Sequence, residues 1–152
     1  MWRIMGLIMH HDRDYYWDTD GKKFDEVRIK TMLDHTGIAL WDTAMRVRRL
    51  KDNASDKYLE IIEPIDLASL LDACPTVRAV VATGEKACGV VAGIAGCELP
   101  SIGARVPCCL GGHSFDLWRM PSSSRAYPLS LEKKAEAYRK MLVANGVVQK
   151  LD

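Results

Sequence analysis

The segment Val77–Thr83 constrains the fold more than any other stretch of this chain. It is short and mostly apolar, and Gly84 follows it directly. Beyond that glycine, Ala87, Val90, Val91 and Ile94 recur at helical spacing. A short apolar run without polar alternation predicts a strand buried on both faces. A helix that opens at once after such a strand is half of a strand–helix–strand unit, which calls for layers of helix and sheet.

The rest of the chain repeats these signals. Residues 1–9 predict a short helix with Trp2, Met5 and Ile8 on its apolar side, and His10–Lys23 is polar and aromatic with a turn at Asp20-Gly21. Asp25 is placed to cap a helix whose stripe is Ile29, Met32 and Leu33, closed by Gly37. Ile38–Trp41, apolar and bounded by Gly37 and Asp42, reads as a strand. Met45–Lys57 is the most polar stretch, with Arg46, Arg48, Arg49 and Lys51, and reads as a loop. Asp66 opens a helix carrying Leu67, Leu70, Leu71 and Cys74, which Pro75 stops. Val106–Leu110 and Ser114–Met120 flank Gly111-Gly112 as a hairpin. Ser130 caps a last helix striped by Leu131, Ala135, Tyr138 and Leu142, ended by Asn145-Gly146. The expected fold is therefore α/β, a three-layer arrangement with a short, mostly parallel sheet flanked by helices.

Composition narrows the class further. At 152 residues the chain suits a single domain, and 48% hydrophobic with 27% charged residues is the balance of a folded protein. No apolar run approaches the roughly 20 residues that span a bilayer. Met1–Met9 lacks a small-residue cleavage site, so a cytoplasmic protein without a signal peptide is expected. The net charge of +1 decides nothing about nucleic acid, because one local patch can bind it. Five cysteines without a C-x-x-C pair fit neither zinc nor a disulfide framework, and are expected to be reduced and packed as small hydrophobes. His10-His11-Asp12 lacks paired ligand spacing, and Gly84-Glu85-Lys86 lacks the upstream glycine of a P-loop. Neither metal nor organic cofactor is expected.

Ligands of such sheets bind beyond the carboxyl ends of the strands, which singles out the loops Asp42–Lys57, Thr83–Lys86 and Pro121–Tyr127. The last begins Pro121-Ser122-Ser123-Ser124-Arg125, directly after a strand. Hydroxyls, backbone N–H groups and a positive charge are the groups that hold phosphate oxygens. The same residues would also make a serine-rich turn leading into the last helix. The basic stretch Arg46–Lys57 reads on its own as a solvated charged loop.

The order of several short motifs resembles the uracil-DNA glycosylase superfamily, nearest its hypoxanthine-DNA and mismatch-specific branches. The matching text is Gly37-Ile38-Ala39-Leu40-Trp41-Asp42, Asp66-Leu67-Ala68-Ser69-Leu70-Leu71, Ala82-Thr83-Gly84-Glu85-Lys86-Ala87, Pro121-Ser122-Ser123-Ser124 and Ser130-Leu131-Glu132-Lys133. It covers roughly residues 37–145. The resemblance implies a DNA-repair enzyme that flips a deaminated base, uracil or hypoxanthine, and hydrolyses its N-glycosidic bond. It assigns Pro121, Ser122, Ser123, Ser124 and Arg125 to DNA-backbone contact and base extrusion. It puts Gly84 and Lys86 beside the DNA, the basic stretch Arg46–Lys57 close to the same face, and Trp41 or Asp42 at the border of the base pocket.

Two departures accompany the likeness. Family members place His or Asn before Pro-Ser, or His shortly after it, where a polar group stabilises the departing base; this chain has Met120 and Tyr127 there. The family's first motif, a strand and loop leading to an Asn before an aromatic-Trp pair, would end at Met1-Trp2-Arg3, so its strand and Asn would lie upstream of Met1. That strand is central in the family's sheet. The catalytic residue is then unassigned, the central strand is expected to be missing, and self-association through unpaired strand edges is expected. A non-catalytic remnant of the family and a small-molecule-binding α/β protein are the alternatives.

Overall fold

The computed structural model describes the backbone of residues 1–49 and 59–150. In chain order the first elements are α1 (Trp2–His10), β1 (Trp17–Asp18), β2 (Lys23–Phe24) and α2 (Glu26–Thr36). Then come β3 (Ala44–Arg49), β4 (Leu59–Pro64), α3 (Leu67–Ala73), β5 (Ala79–Thr83) and α4 (Glu85–Ala95). The chain closes with β6 (Arg105–Leu110), β7 (His113–Met120) and α5 (Leu131–Ala144). The class is mixed α/β. The residues divide into two compact units, Met1–Leu40 with Tyr127–Asp152, and Trp41–Ala126.

In the first unit α1 and α5 pack on each other. Ile4, Met5 and Ile8 bury the apolar side of α1, and Ala135, Tyr138, Met141 and Leu142 that of α5. These positions recur at three and four residues, which is why both segments are helical and why they meet along one face. Burial pushes the Tyr138 hydroxyl pKa up. The Ser130 hydroxyl accepts from the Lys133 N–H at 3.3 Å and caps α5. The Asp25 carboxylate accepts from the Arg28 N–H at 3.1 Å and caps α2, and Gly37 ends that helix in the left-handed region. Removing such a cap costs about 1 kcal/mol. Asp25→Ala is therefore expected to lower stability by that amount, read as a drop in urea midpoint at constant slope, whereas Asp34→Ala is expected to be neutral.

The second unit holds two separate sheets. β3 and β4 form an antiparallel hairpin with Arg48 opposite Glu60 and an irregular register between Ala44 and Val47. The other sheet has the order β5-β7-β6, with β5 parallel and β6 antiparallel to β7. Gly111 and Gly112, at φ 57° and 81°, make the two-residue turn between β6 and β7, a turn that requires φ > 0 at both positions. α4 lies against β5 and β7. Leu67 and Leu71 from α3, Cys88, Val91 and Ala92 from α4, and Phe115 and Leu117 from β7 share one core.

Four expectations change. The sheet is mixed, with one parallel and one antiparallel pairing, because the hairpin supplies a strand that turns straight back. Its central strand is β7, and residues 1–36 contribute no strand to it. Ile38–Trp41 is not a strand: it has no ladder partner, and Leu40 and Trp41 are 49% and 67% exposed. Ala44–Arg49 is a strand rather than part of a loop, stabilised by cross-strand pairing that polarity does not preclude. Lys51 and the rest of the basic stretch from residue 50 lie outside the described residues. The cysteines are not all reduced. Cys97 and Cys108 are disulfide-bonded with Cα atoms 6.0 Å apart, within the usual reach of that bond. Cys88 is a free, fully buried core thiol, while Cys74 and Cys109 are free and exposed. Among the described residues no helix is long and apolar enough to cross a membrane.

Candidate functional site

Parallel pairing of β5 and β7 brings their carboxyl ends together, with Thr83 opposite Met120. The ladder runs one residue further, as the Gly84 N–H donates to the Met120 carbonyl at 3.0 Å. The chains then part, Gly84 into α4 and Pro121 into the serine loop. Gly84 stands against Ser122: a Cβ built on the glycine would lie 3.6 Å from the Ser122 Cβ and 3.9 Å from its hydroxyl. At φ 122° and ψ 167° the Gly84 backbone occupies a region that only glycine populates readily. No side chain caps the first turn of α4.

The serine loop is held by its own hydroxyls. The Ser124 N–H donates to the Ser122 hydroxyl at 3.2 Å, and the Ala126 N–H donates to the Ser124 hydroxyl at 3.3 Å. Such side-chain-to-backbone bonds fix a turn without a helix or ladder. Pro121 is buried, Ser122, Ser123 and Ser124 are half-buried, and Arg125 is exposed. Lys86, in the first turn of α4, is half-buried. Gly84 and the serine loop thus form one crevice at the end of two neighbouring strands, edged by the Ser122 hydroxyl, with exposed Arg125 three residues further along the loop. Those groups can receive an anion but offer no nucleophile activated by a base.

Trp41 and Asp42 occupy a different place. Trp41 borders a shallow hollow of about 200 Å³ with Met45, Ile65, Asp66, Ser69 and Leu70. None of those residues belongs to the Gly84–Ser122 crevice. Asp42 is exposed. A larger open hollow, about 510 Å³, is bordered by Arg78, Cys109, Ser114 and Asp116. It lies by the amino end of β5, away from every residue that the sequence nominates.

Arg119 is the residue that sequence reasoning missed. It sits on β7 on the same side as Phe115 and Leu117, since side chains alternate along a strand. Its Nη1 donates to the Pro100 carbonyl at 3.3 Å, and its Nη2 lies 3.5 Å from the Glu85 carboxylate at the start of α4. Only 15% of its side chain is exposed, and Nε is buried without a hydrogen bond. Its charge also reaches Cys88: burial pushes that thiol's pKa up, and Arg119 pulls the other way. The signal was legible as an arginine on the apolar side of an otherwise buried strand. Comparison with protein families, curated proteins and solved structures found no match to this chain.

Proposed function

We propose that this chain is a homologue of the DNA glycosylases that flip and excise a deaminated base, uracil or hypoxanthine, and that it grips the DNA backbone through Pro121–Arg125. One observation supports the reading above the others. The serine loop and Gly84, nominated from separate motifs, meet at the carboxyl ends of adjacent parallel strands. A flipping enzyme needs a rigid pinch on the phosphates flanking its target, because the target atom is out of reach inside the stack. Hydroxyls and an exposed arginine on a turn locked by its own hydrogen bonds suit that task.

Hydrolysis makes a further demand. A carboxylate or carboxamide must orient water and stabilise the charge that develops as the base leaves. None of Pro121–Arg125, Gly84 or Lys86 supplies one, and neighbouring Glu85 is paired with Arg119. Binding without base release is therefore the expected behaviour of these 152 residues.

Fluorescence anisotropy on duplexes carrying uracil or hypoxanthine tests this. Arg125→Ala should weaken binding and make the slope of log K against log salt shallower by about one unit, as loss of one phosphate contact does. Ser122→Ala should weaken binding with little change of slope. Lys133→Ala, on the exposed side of α5, should do neither. An unchanged affinity and slope for Arg125→Ala would refute the phosphate-gripping role. Release of free base that is abolished by Ser122→Ala would refute the expected lack of turnover.

A further inference from the structure

The segment joining α4 to β6 is fastened at three points. The Cys97–Cys108 disulfide ties its start to the buried side of β6. The Gly103 N–H donates to the Arg119 carbonyl at 2.7 Å, and the Arg119 N–H donates to the Ala104 carbonyl at 3.0 Å. Between these, the Pro100 carbonyl accepts from Arg119 Nη1. Packing holds the loop at Pro100, which is buried, and at Cys97, which lies against the core, whereas Leu99 and Ile102 are 45% and 55% exposed. The position of this loop therefore rests on the disulfide, on buried Pro100 and on the bonds to Arg119. Arg119 in turn reaches Glu85, the residue after Gly84, which stands against Ser122.

We propose that the Cys97–Cys108 pair is a redox latch on the crevice formed by Gly84 and Ser122. Oxidised, it holds the 97–104 loop so that Arg119 stays bridged between the Pro100 carbonyl and the Glu85 carboxylate. Reduced, it frees the loop, Arg119 loses its carbonyl partner, and the first turn of α4 loosens beside Ser122. The other cysteines do not substitute. Cys109 follows Cys108 in β6 and projects to the opposite side of the strand, where it is exposed. Cys74 lies past the end of α3, and Cys88 is enclosed in the core.

The reductant is a small thiol or dithiol of the glutathione or dithiothreitol class. Its thiolate attacks Cys97 Sγ, the less buried partner, and Cys108 departs as a thiolate that takes a proton from solvent. A second reductant thiol displaces Cys97 in the same way. Two electrons pass from two reductant thiols, which leave as their disulfide, and each protein cysteine ends with one proton.

Hydrogen exchange followed by mass spectrometry compares the full chain purified without reductant with the same chain in dithiothreitol. Peptides covering residues 97–104 and 84–88 should exchange faster on reduction, on the order of tenfold, while α5 is unchanged. Cys97→Ser should reproduce the reduced pattern without reductant, and Cys109→Ser should leave the response intact. Should Cys97→Ser fail to fold, early time points after reducing the wild-type chain give the same comparison. Alkylation that finds Cys97 and Cys108 free before reduction would overturn the proposal. So would faster exchange confined to 97–104, or loss of protection throughout the chain, which would make the bond a plain staple. No DNA enters the measurement, so its outcome is separate from the DNA-binding reading.

Discussion

Leu117→Ala is expected to remove about 2–5 kcal/mol of stability, the cost of truncating a fully enclosed leucine whose surroundings cannot collapse. Leu117 is 0% exposed at the middle of β7, the strand that pairs on both sides. It belongs to the core it shares with Leu67, Leu71, Cys88 and Val91, so shortening it opens a void between the sheet and its helices. Against a typical domain stability of about 5–15 kcal/mol, the loss is large. Leu99→Ala removes the same atoms from a side chain 45% exposed in the loop after α4. It should cost about 0.5 kcal/mol or less. Urea unfolding followed by circular dichroism distinguishes the two. Equal midpoints for Leu117→Ala and Leu99→Ala would mean that β7 is not the keystone of this sheet.

The second large effect is a change of sign between two identical substitutions five residues apart in the chain. Gly84→Ala should destabilise by about 1–3 kcal/mol, because a Cβ is disfavoured at φ 122° and ψ 167°. Space is not the cause, since the nearest atom would be 3.6 Å away in ordinary contact. Gly89→Ala lies inside α4, where a Cβ would meet nothing within 4 Å and the backbone is helical. There alanine should stabilise by about 0.5–1 kcal/mol, since glycine loses more freedom on folding. On the proposed DNA-gripping role, Gly84→Ala should also weaken DNA binding, because relief of that backbone strain shifts the support of Ser122. The pair is read from the same urea curves. Two shifts of the same sign would show that the conformation at Gly84 is not what shapes the crevice.

Much of this architecture was readable where a residue type enforces one local geometry. Asp25, Asp66 and Ser130 accept from the backbone N–H three residues on, as their position before an apolar stripe implies. Gly111-Gly112 dictated the hairpin. The crevice was half legible: strand ends located Gly84 and Ser122, and parallel register brought them together. The misreadings arose where partners decide. Ile38–Trp41 has the composition of a buried strand, but composition cannot supply a ladder, and Trp41 stays in solvent. β3 looked like a loop because arginines dominate it, although alternation with Met45 and Val47 was present and Arg48 pairs with Glu60 at 3.6 Å. The bond between Cys97 and Cys108 depends on how a loop folds back, which spacing alone does not encode. Arg119 was overlooked because β7 was read for its apolar residues.

The division of the chain into an uninterrupted unit, Trp41–Ala126, and one made from both sides of it bears on the order of events at the ribosome. α1 emerges early, yet its helical partner α5 begins only at Leu131. At a synthesis rate of about 5–20 residues per second, Ile4, Met5 and Ile8 wait roughly 6–24 seconds for that surface. The inner unit meets no such delay, as every strand and helix of its core has left the tunnel before α5 does. Nascent α1 thus waits longer for its partner than the elements of the inner unit do for theirs, and the inner unit is the one able to fold first.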